Sequence, residues 1–369
     1  MRILYDATPL LMRSAGVKNY HHSLLTHLLP IIQPHQVDLF PLLQGLPPNN
    51  NEGSNYGSLA SKIRLGGVVA SNYSGMAIPP QLATDADVFH LTPFVRHPPK
   101  DVPLTSMVHD PTPLLLPECH PETNVRYFEY FAQTILPRLR GLLTPSQAVK
   151  DDLVEHLGVD EQRIRVVHHG VDEDFFDTVP STVGLARQTY HLPDHYVLFV
   201  GAMEPRKNLT NLVRAYSLLP RDLRRRHPLV VTGATGWKNK EIRKQLEALG
   251  AHLTGYVRRA LLPALYHGAS LFVLPSFYEG FGMPLLEAMA ARVPVVTSDV
   301  SAMPEVAGDA ALYADPHDAE SIADAMERVL QQTELASALG EAGRRRARLF
   351  TWHETAVDTK AFFEGVIGG

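Results

Sequence analysis

The sequence predicts an α/β fold in which two Rossmann-like domains face a central cleft. Short apolar and β-branched runs alternate with segments of helical periodicity in both halves, as in parallel sheets covered by helices on both faces. At about 150 residues per domain, a length of 369 residues suggests two domains or three. An irregular stretch near residues 178–190 marks the boundary. We therefore predict domains over 1–180 and 181–352, followed by a terminal helix over 353–369.

Apolar spacing places the elements of the first half. Residues 2–5 are predicted as a buried strand, and apolar residues recur at helical spacing between residues 17 and 28. Residues 44–62 are rich in Gly, Pro, Asn and Ser and predict a long, mobile loop. Ser146 is a suitable N-cap for the helix after it. Further strands are predicted over 37–42, 88–91, 106–109, 142–144 and 164–167, and a helix over 121–140.

The second half repeats this alternation. Pro284 opens a helix, because proline is tolerated at the first helical position, and an apolar stripe between residues 322 and 330 marks another. The remaining predictions are strands over 196–200, 229–232, 252–257, 271–274 and 294–298, and helices over 209–219, 259–267, 333–349 and 353–367. Ligands of such sheets bind beyond the carboxyl ends of the strands, so the residues that follow each strand are the candidates for a site.

Composition excludes several classes of protein. The chain has 34 Lys and Arg against 39 Asp and Glu, a formal net charge of −5, whereas a general nucleic-acid binder would be basic. Its one cysteine, Cys119, cannot form an internal disulfide, which fits a reducing cytoplasm. No apolar run approaches the roughly 18 residues of a membrane-spanning helix. Asp6 interrupts the apolar N-terminus, which favours a first strand over a signal peptide.

The segment PSFYEGFGMPLLEAMA, residues 275–290, carries the most chemical information. A strand precedes it, and a glycine-containing loop leads into a helix whose first free amides form an anion site. Glu279 lies in the loop and Glu287 near the start of the helix. Residue types alone leave two interpretations open. The carboxylates could bind sugar hydroxyls and face a reacting carbon, or they could be a loop cap and an ordinary acid favoured by the helix dipole.

The seven residues between Glu279 and Glu287 resemble the E-x7-E signature of retaining glycosyltransferases of family 4, which have the two-domain GT-B fold. The resemblance extends in order over nearly the whole chain, and it implies that the last helix crosses back to the first domain. The other matching segments are MRILYDATPLLMRSAGVKNY, MVHD, LLTPSQAVKDDL, VLFVGAMEPRKNL and SAMPEVAGDAALYADPHD. The ordered set is more specific than any one segment.

The resemblance implies roles for side chains of both domains. Arg206 and Lys207 match the two basic residues with which the family binds the diphosphate. Without the resemblance, an isolated Arg-Lys dipeptide would be interpreted as two solvated surface cations. Glu279 would hold donor-sugar hydroxyls and stabilise a cationic reacting carbon, and Glu287 would hold the donor ribose. His109 would bind the sugar from the first domain, which would be the acceptor domain. The second domain would bind the nucleotide sugar, and its closure on the first would assemble the site.

Backbone contacts to the donor are implied at Gly16, Tyr256, Val257, Gly282, Met283, Pro284 and Leu285. Tyr256 and Val257 lie where relatives contact the base through backbone, so side-chain types do not identify the base. Two positions depart from the family pattern. Ala202 stands where many relatives have Arg, and Ala15 replaces the first of two adjacent glycines.

The resemblance implies transfer of a hexose from a nucleotide diphosphate sugar to a glycan or lipid-linked glycan acceptor, in bacterial polysaccharide or O-antigen synthesis. GDP-mannose is the first expectation for the donor and UDP-glucose the second. No metal or other cofactor is expected, because Asp85 and Asp87 directly precede a buried-looking strand. The expected location is the cytoplasm, with peripheral association at the inner face of the membrane compatible with a lipid-linked acceptor. A nucleotide-sugar epimerase, a sugar synthase or phosphorylase, and a non-catalytic nucleotide-sugar sensor remain alternatives.

Overall fold

Residues 1–11, 16–41, 45–47, 59–75 and 86–368 are described in the computed structural model of the chain. The chain divides into two compact units. The first consists of Met1–Pro111, Arg126–Gly170 and Trp352–Gly369, and the second of Thr112–Val125 and Val171–Thr351. Each unit contains one six-stranded sheet. The predicted α/β class with two Rossmann-like units is confirmed.

The sheet of the first unit is parallel throughout and has the strand order β2-β1-β3-β4-β5-β6. Its strands are β1 Arg2–Asp6, β2 Gln36–Phe40, β3 Val88–Leu91, β4 Leu104–Met107, β5 Leu139–Thr144 and β6 Ile164–Val166. Both central strands β3 and β4 are buried along their whole length, as expected for a parallel sheet covered on both faces. The helices of this unit include α1 Thr8–Leu11, α2 Gly16–Ile31, α3 Leu59–Ser74, α6 Gln147–Leu157 and α16 Trp352–Gly368, and α5 Glu122–Tyr130 enters it from the second unit.

The last helix, α16, packs on α2 and against the sheet of the first unit. The Lys360 ammonium donates to the carbonyl oxygen of Ile31 at 3.1 Å, and the Thr355 hydroxyl donates to that of His168 at 2.8 Å. On β5, a Cβ at Gly141 would come within 2.8 Å of Val366 Cγ2, so glycine allows the helix to approach the sheet closely. Phe363 of the same helix is fully buried. These contacts confirm that the last helix returns to the N-terminal sheet.

The sheet of the second unit is also parallel and has the order β12-β11-β10-β7-β8-β9. Its strands are β7 Val197–Val200, β8 Leu229–Thr232, β9 His252–Gly255, β10 Leu271–Leu274, β11 Val295–Ser298 and β12 Leu312–Ala314. Its helices include α4 Thr112–Leu115, α7 Pro180–Tyr190, α8 Leu209–Leu218, α9 Arg221–Arg226, α10 Lys240–Leu249, α11 Leu262–Gly268, α12 Met283–Ala290, α13 Met303–Ala307, α14 Ala319–Gln331 and α15 Thr333–Ala347. The neighbouring strands β7 and β10 are fully buried, and the loops after them carry most of the candidate residues.

Three element predictions need correction. The stretch over 178–190 is not irregular but contains α7, which begins with Pro180 and ends at Tyr190, and His191 follows it in the left-handed region. Proline suits the first helical position, and Leu, Ala, Arg and Gln then favour helix. The helix predicted over 121–140 ends at Tyr130. A π-helical turn and a 3-10 turn follow, because Pro137 cannot continue the α-helical hydrogen bonds. Strand β5 therefore begins at Leu139, earlier than predicted.

Two further boundaries also differ. Residues 59–62 of the predicted loop belong to α3, while residues 44 and 48–58 lie outside the described part of the chain. Strand β4 ends at Met107, so His109 follows the strand by two residues. Within the described residues, no helix is both long enough and apolar enough to span a bilayer.

Candidate active site

Two loops at the carboxyl edge of the second sheet are fastened together. Strands β7 and β10 are neighbours, and the loops over 201–208 and 275–282 follow them. The backbone N–H of Phe277 donates to the carbonyl oxygen of Arg206 at 2.9 Å, and the Asn208 side chain donates to that of Pro275 at 2.8 Å. The loop after β8 supports the first of them, because Met203 N donates to Ala234 O at 3.2 Å. Residues distant in sequence thus share one rigid edge.

Four charged side chains meet on these loops: Glu204, Arg206, Lys207 and Glu279, here called the charge quartet. The Lys207 ammonium donates to Glu279 Oε1 at 2.7 Å, and Arg206 Nη1 donates to Glu279 Oε2 at 3.0 Å. Arg206 Nη2 donates to Glu204 Oε1 at 2.8 Å. The two cations cancel the two carboxylates, so the formal charge of the quartet is zero. The structure therefore brings three of the predicted residues together and adds Glu204, which the sequence analysis missed.

Glu279 is buried but stays ionised. Burial would raise the pKa of its carboxyl, but the charges of Lys207 and Arg206 and the hydrogen bonds from Lys207 and Ser276 outweigh burial and lower it to about 2. Arg206 is committed to protein partners, because its Nη1 also donates to the carbonyl oxygen of Tyr278 at 2.6 Å. Among the described residues, the Lys207 ammonium donates to Glu279 only, although it has three protons. Lys207 is thus the cation of the quartet with capacity for another anion.

Helix α12 begins beside this quartet. Gly282 is its N-cap residue, with φ of 95° and without a side-chain hydrogen bond to the helix. A Cβ there would meet Leu285 only at ordinary contact distance, so glycine is required by the backbone angle and not by space. Pro284 has no N–H, whereas Leu285 N donates to Gly282 O at 2.9 Å. The N-terminus of this helix carries a positive partial charge that favours an anion.

Glu287 lies on the same helix in a different environment. The Tyr266 hydroxyl donates to its Oε2 at 2.8 Å, and Nη1 of Arg259 lies 4.0 Å from its Oε1. Burial raises the pKa of Glu287 to about 7, against the opposing effects of the Arg259 charge and the Tyr266 hydrogen bond. Neither Tyr266 nor Arg259 was predicted from the sequence. The two glutamates of the motif thus differ in charge, since one is fixed as a carboxylate and the other titrates near neutrality.

The remaining predicted residues lie elsewhere in the two units. Tyr256 and Val257 follow β9 in the second sheet, and Tyr256 is exposed whereas Val257 is buried. Gly16 is the first residue of α2 in the first unit, and a Cβ there would have nothing within 4 Å. Ala15 and Asp85 lie outside the described residues. Within the described ranges, no group of three or more metal-ligating side chains is close enough to hold an ion.

His109 lies in the first unit within a cluster of aromatic rings. The ring of Tyr20 meets it edge-on at 4.8 Å between centroids, and the ring of His169 lies 5.6 Å away. Burial lowers the pKa of His109 to about 4, although Asp110 acts in the opposite direction. The imidazole is therefore neutral at physiological pH. Tyr20 lies on α2 and His169 follows β6, so the spacing of residues in the sequence alone does not predict this cluster.

Sequence comparison identifies the family. A sequence model of glycosyl transferases group 1 matches residues 187–346, and one of glycosyltransferase family 4 matches residues 16–175. The chain is 31% identical over 375 residues to the O-antigen chain mannosyltransferase B of Escherichia coli, and the match covers 97% of this chain and 98% of that protein. The chain belongs to glycosyltransferase family 4, group 1.

Solved structures of low sequence identity share the fold. Sucrose-phosphate synthase from Thermosynechococcus elongatus superposes with a TM-score of 0.76 at 18% identity, covering 100% of this chain and 99% of that one. Anabaena HepE in complex with UDP-glucose superposes with a TM-score of 0.71 at 18% identity over 100% of both chains. The α/β fold of this family 4 glycosyltransferase is therefore GT-B.

Proposed function

We propose that this glycosyltransferase transfers a mannosyl residue from GDP-mannose to a hydroxyl of a glycan or lipid-linked glycan, with retention at the anomeric carbon. The relative matched over nearly its whole length is an O-antigen chain mannosyltransferase, which supports mannose and a bacterial polysaccharide. The acceptor would be met in the cytoplasm, at the inner face of the membrane when it is lipid-linked. The observation that carries the proposal is the Lys207 ammonium, which pairs with Glu279 four residues before α12 begins and has protons left for a further anion.

The donor diphosphate would bind between Lys207 and the N-terminal end of α12. The Lys207 ammonium already donates one hydrogen bond to Glu279, and its other two N–H groups can donate to diphosphate oxygens. Backbone at Gly282, Met283 and Leu285, with Pro284 shaping the turn, would approach the same oxygens, and Gly16 would approach them from the first unit. Arg206 would contribute its charge and hold the two loops together. These groups would stabilise the charge that develops as the diphosphate leaves.

The donor sugar and nucleoside would be held by the other predicted residues. Glu279, fixed as a carboxylate, would accept from sugar hydroxyls and stabilise positive charge at the reacting carbon. His109, whose neutral imidazole has one donor and one acceptor nitrogen, would bind the sugar from the first unit. Glu287 would accept from the ribose, and the backbone of Tyr256 and Val257 would contact the base.

Transfer would occur by attack on the face that the diphosphate leaves. The bond between the anomeric carbon and the diphosphate oxygen breaks, and the nucleoside diphosphate keeps the electron pair. The acceptor oxygen forms the new bond on the same face, and its proton passes to the departing diphosphate. No metal is needed in this scheme, because Lys207, Arg206 and the helix amides stabilise the leaving charge.

A thermal-shift screen against GDP, UDP, ADP and dTDP and their sugar conjugates, with and without EDTA, tests the donor site. A ligand at 100 times its Kd adds about 2.7 kcal/mol of stability. We expect a shift with GDP and GDP-mannose that EDTA leaves unchanged. A shift with UDP and UDP-glucose alone would replace the donor assignment. The absence of any shift would overturn the proposal.

A transfer assay separates the transferase from its alternatives. GDP-mannose is incubated with lipid-linked glycan primers, and the anomeric configuration of the product is read by NMR. We expect an α-linked mannoside, formed only when the acceptor is present. Conversion of the donor without an acceptor would indicate an epimerase, and tight nucleotide binding without any turnover would indicate a sensor.

A further inference from the structure

We propose that Arg259 is a positioning residue that favours the carboxylate form of Glu287 and directs its oxygen Oε1 toward the donor ribose. The inference rests on the proposed function, which assigns the ribose to Glu287. It adds a residue that the spacing of the motif does not reveal, because Arg259 lies in a 3-10 turn between β9 and α11.

The two oxygens of Glu287 have unequal partners. Oε2 accepts from the Tyr266 hydroxyl at 2.8 Å, whereas Oε1 faces Arg259 Nη1 at 4.0 Å, which exceeds hydrogen-bond distance. Nη1 is buried and has no hydrogen-bond partner among the described residues. A buried guanidinium nitrogen without a partner is costly, so this geometry favours an arrangement in which Oε1 and Nη1 come together. A shift of about 1 Å would suffice.

The guanidinium of Arg259 is itself held in place by residues other than Glu287. Its Nη2 donates to Asp172 Oδ2, and its Cζ lies 4.5 Å from the centroid of the Phe175 ring. Asp172 and Phe175 lie in the segment that precedes α7. The cation is therefore oriented by a carboxylate and an aromatic ring, and its Nη1 is the nitrogen nearest to Glu287.

The charges around Glu287 make its protonation state sensitive to Arg259. Burial raises the pKa of Glu287 to about 7, and the Arg259 charge and the Tyr266 hydrogen bond lower it, while Asp172 raises it. Asp174 acts on Arg259 from the same segment. Without Arg259 the carboxyl would stay protonated through neutral pH. A neutral carboxyl accepts a weaker hydrogen bond from a hydroxyl than a carboxylate does.

The test compares the pH dependence of nucleotide affinity in matched variants. Calorimetry follows the nucleoside diphosphate that stabilises the protein most among GDP, UDP, ADP and dTDP, from about pH 5.5 to about pH 9. Arg259→Gln removes the charge, Arg259→Lys keeps it, and Arg258→Gln is the control at the exposed neighbouring arginine. The ratio of variant to wild-type affinity at each pH cancels the titration of the ligand.

For Arg259→Gln we expect about tenfold weaker binding at neutral pH. Affinity should recover near pH 9, because the acid limb of the profile, where protonation of Glu287 weakens binding, would move up by about one pH unit or more. Arg259→Lys and Arg258→Gln should follow the wild type. A uniform loss across the pH range, or no change, in Arg259→Gln would overturn the inference. If this variant does not fold, Arg259→Met, whose stem can still pack on Phe175, is judged by the same criterion.

Glu287→Gln distinguishes this inference from the proposed function. It should weaken binding and remove the acid limb. If it does so while Arg259→Gln leaves the limb in place, only the role of Arg259 fails. If Glu287→Gln binds like the wild type, the ribose assignment fails and the inference with it. If none of the four nucleotides binds the wild type, both proposals fail.

Discussion

Replacing Lys207 by Ala removes the one cation of the charge quartet that has capacity for another anion. Its ammonium is buried and lies 2.7 Å from Glu279 Oε1. Without it the quartet has a net charge of −1, because Glu204 and Glu279 then face Arg206 alone. The departing diphosphate would lose a charged donor and meet an unbalanced carboxylate.

The two expected effects have different sizes. Losing one positioned donor to a developing anion lowers turnover on the order of 100-fold, or about 2.7 kcal/mol of transition-state stabilisation. The cost in folding stability should be smaller than the roughly 3–5 kcal/mol of leaving a buried charge unpaired. Glu279 keeps its hydrogen bonds from Arg206 and from Ser276, the latter at 2.6 Å, so we expect a loss of about 1–3 kcal/mol.

Turnover of GDP-mannose, nucleotide affinity and melting temperature are measured on the same preparations. Lys207→Arg keeps the charge in a different shape and should be intermediate. Lys244→Ala, an exposed lysine on α10, is the matched control and should behave as the wild type. A folded Lys207→Ala variant with turnover within about threefold of the wild type would refute the assignment of the leaving-group charge to Lys207.

Three other predictions concern stability. Glu287→Gln should stabilise the protein increasingly from pH 5 to pH 8 in thermal melts. The native carboxyl has a pKa of about 7 against 4.5 unfolded, so wild-type stability falls by about 2.5 kcal/mol as pH rises from 5 to 8. An equal effect of the substitution at both pH values would contradict the burial argument. Gly233→Ala should lose about 3 kcal/mol or more, because its Cβ would lie 2.0 Å from Gly201 O at a φ of +146°. Gly184→Ala on α7, where the added Cβ would have open space, should not lose stability in this way. Chemical denaturation compares the free energies of unfolding of the two variants. Deletion of residues 352–369 should abolish cooperative melting of the first unit, because it removes the buried Phe363 and exposes the face of the sheet on which α16 packs. Near-normal melting and turnover would count against this role of α16.

Strands were predicted best where apolar runs are buried on both faces. The predicted bounds of 88–91, 229–232 and 271–274 agree with β3, β8 and β10. Helix α7 was missed because Thr, Val and Gly offset the helix preference of its other residues. Packing against the second unit's core, where Ala186 is fully buried, adds the stabilisation that the sequence does not show. Prediction from local sequence does not include the stabilisation that comes from packing against a distant part of the chain.

The site shows the same division between local and tertiary information. Position after a strand and resemblance to the family indicated Arg206, Lys207 and Glu279, but their pairing depends on β10 lying beside β7, which are not consecutive in sequence. Glu204 could have been noticed as an acid two residues from Arg206. The partners of Glu287 could not, because Tyr266 and Arg259 come from α11 and the turn before it, and Asp172 from the segment before α7.

The two glutamates of the motif are kept chemically distinct by their neighbours. Glu279 has two cations within hydrogen-bond distance, so its charge is fixed, and any anion that binds Lys207 must share that cation with it. Glu287 has a hydroxyl within hydrogen-bond distance and its nearest cation at 4.0 Å, so its charge is set by a weak balance. A carboxylate of fixed charge suits a group that faces developing positive charge. A carboxyl that titrates near neutrality suits a group whose hydrogen bonds are complete only when a polyol is bound. Glu279→Gln should therefore lower turnover more than nucleotide affinity, and Glu287→Gln should do the reverse.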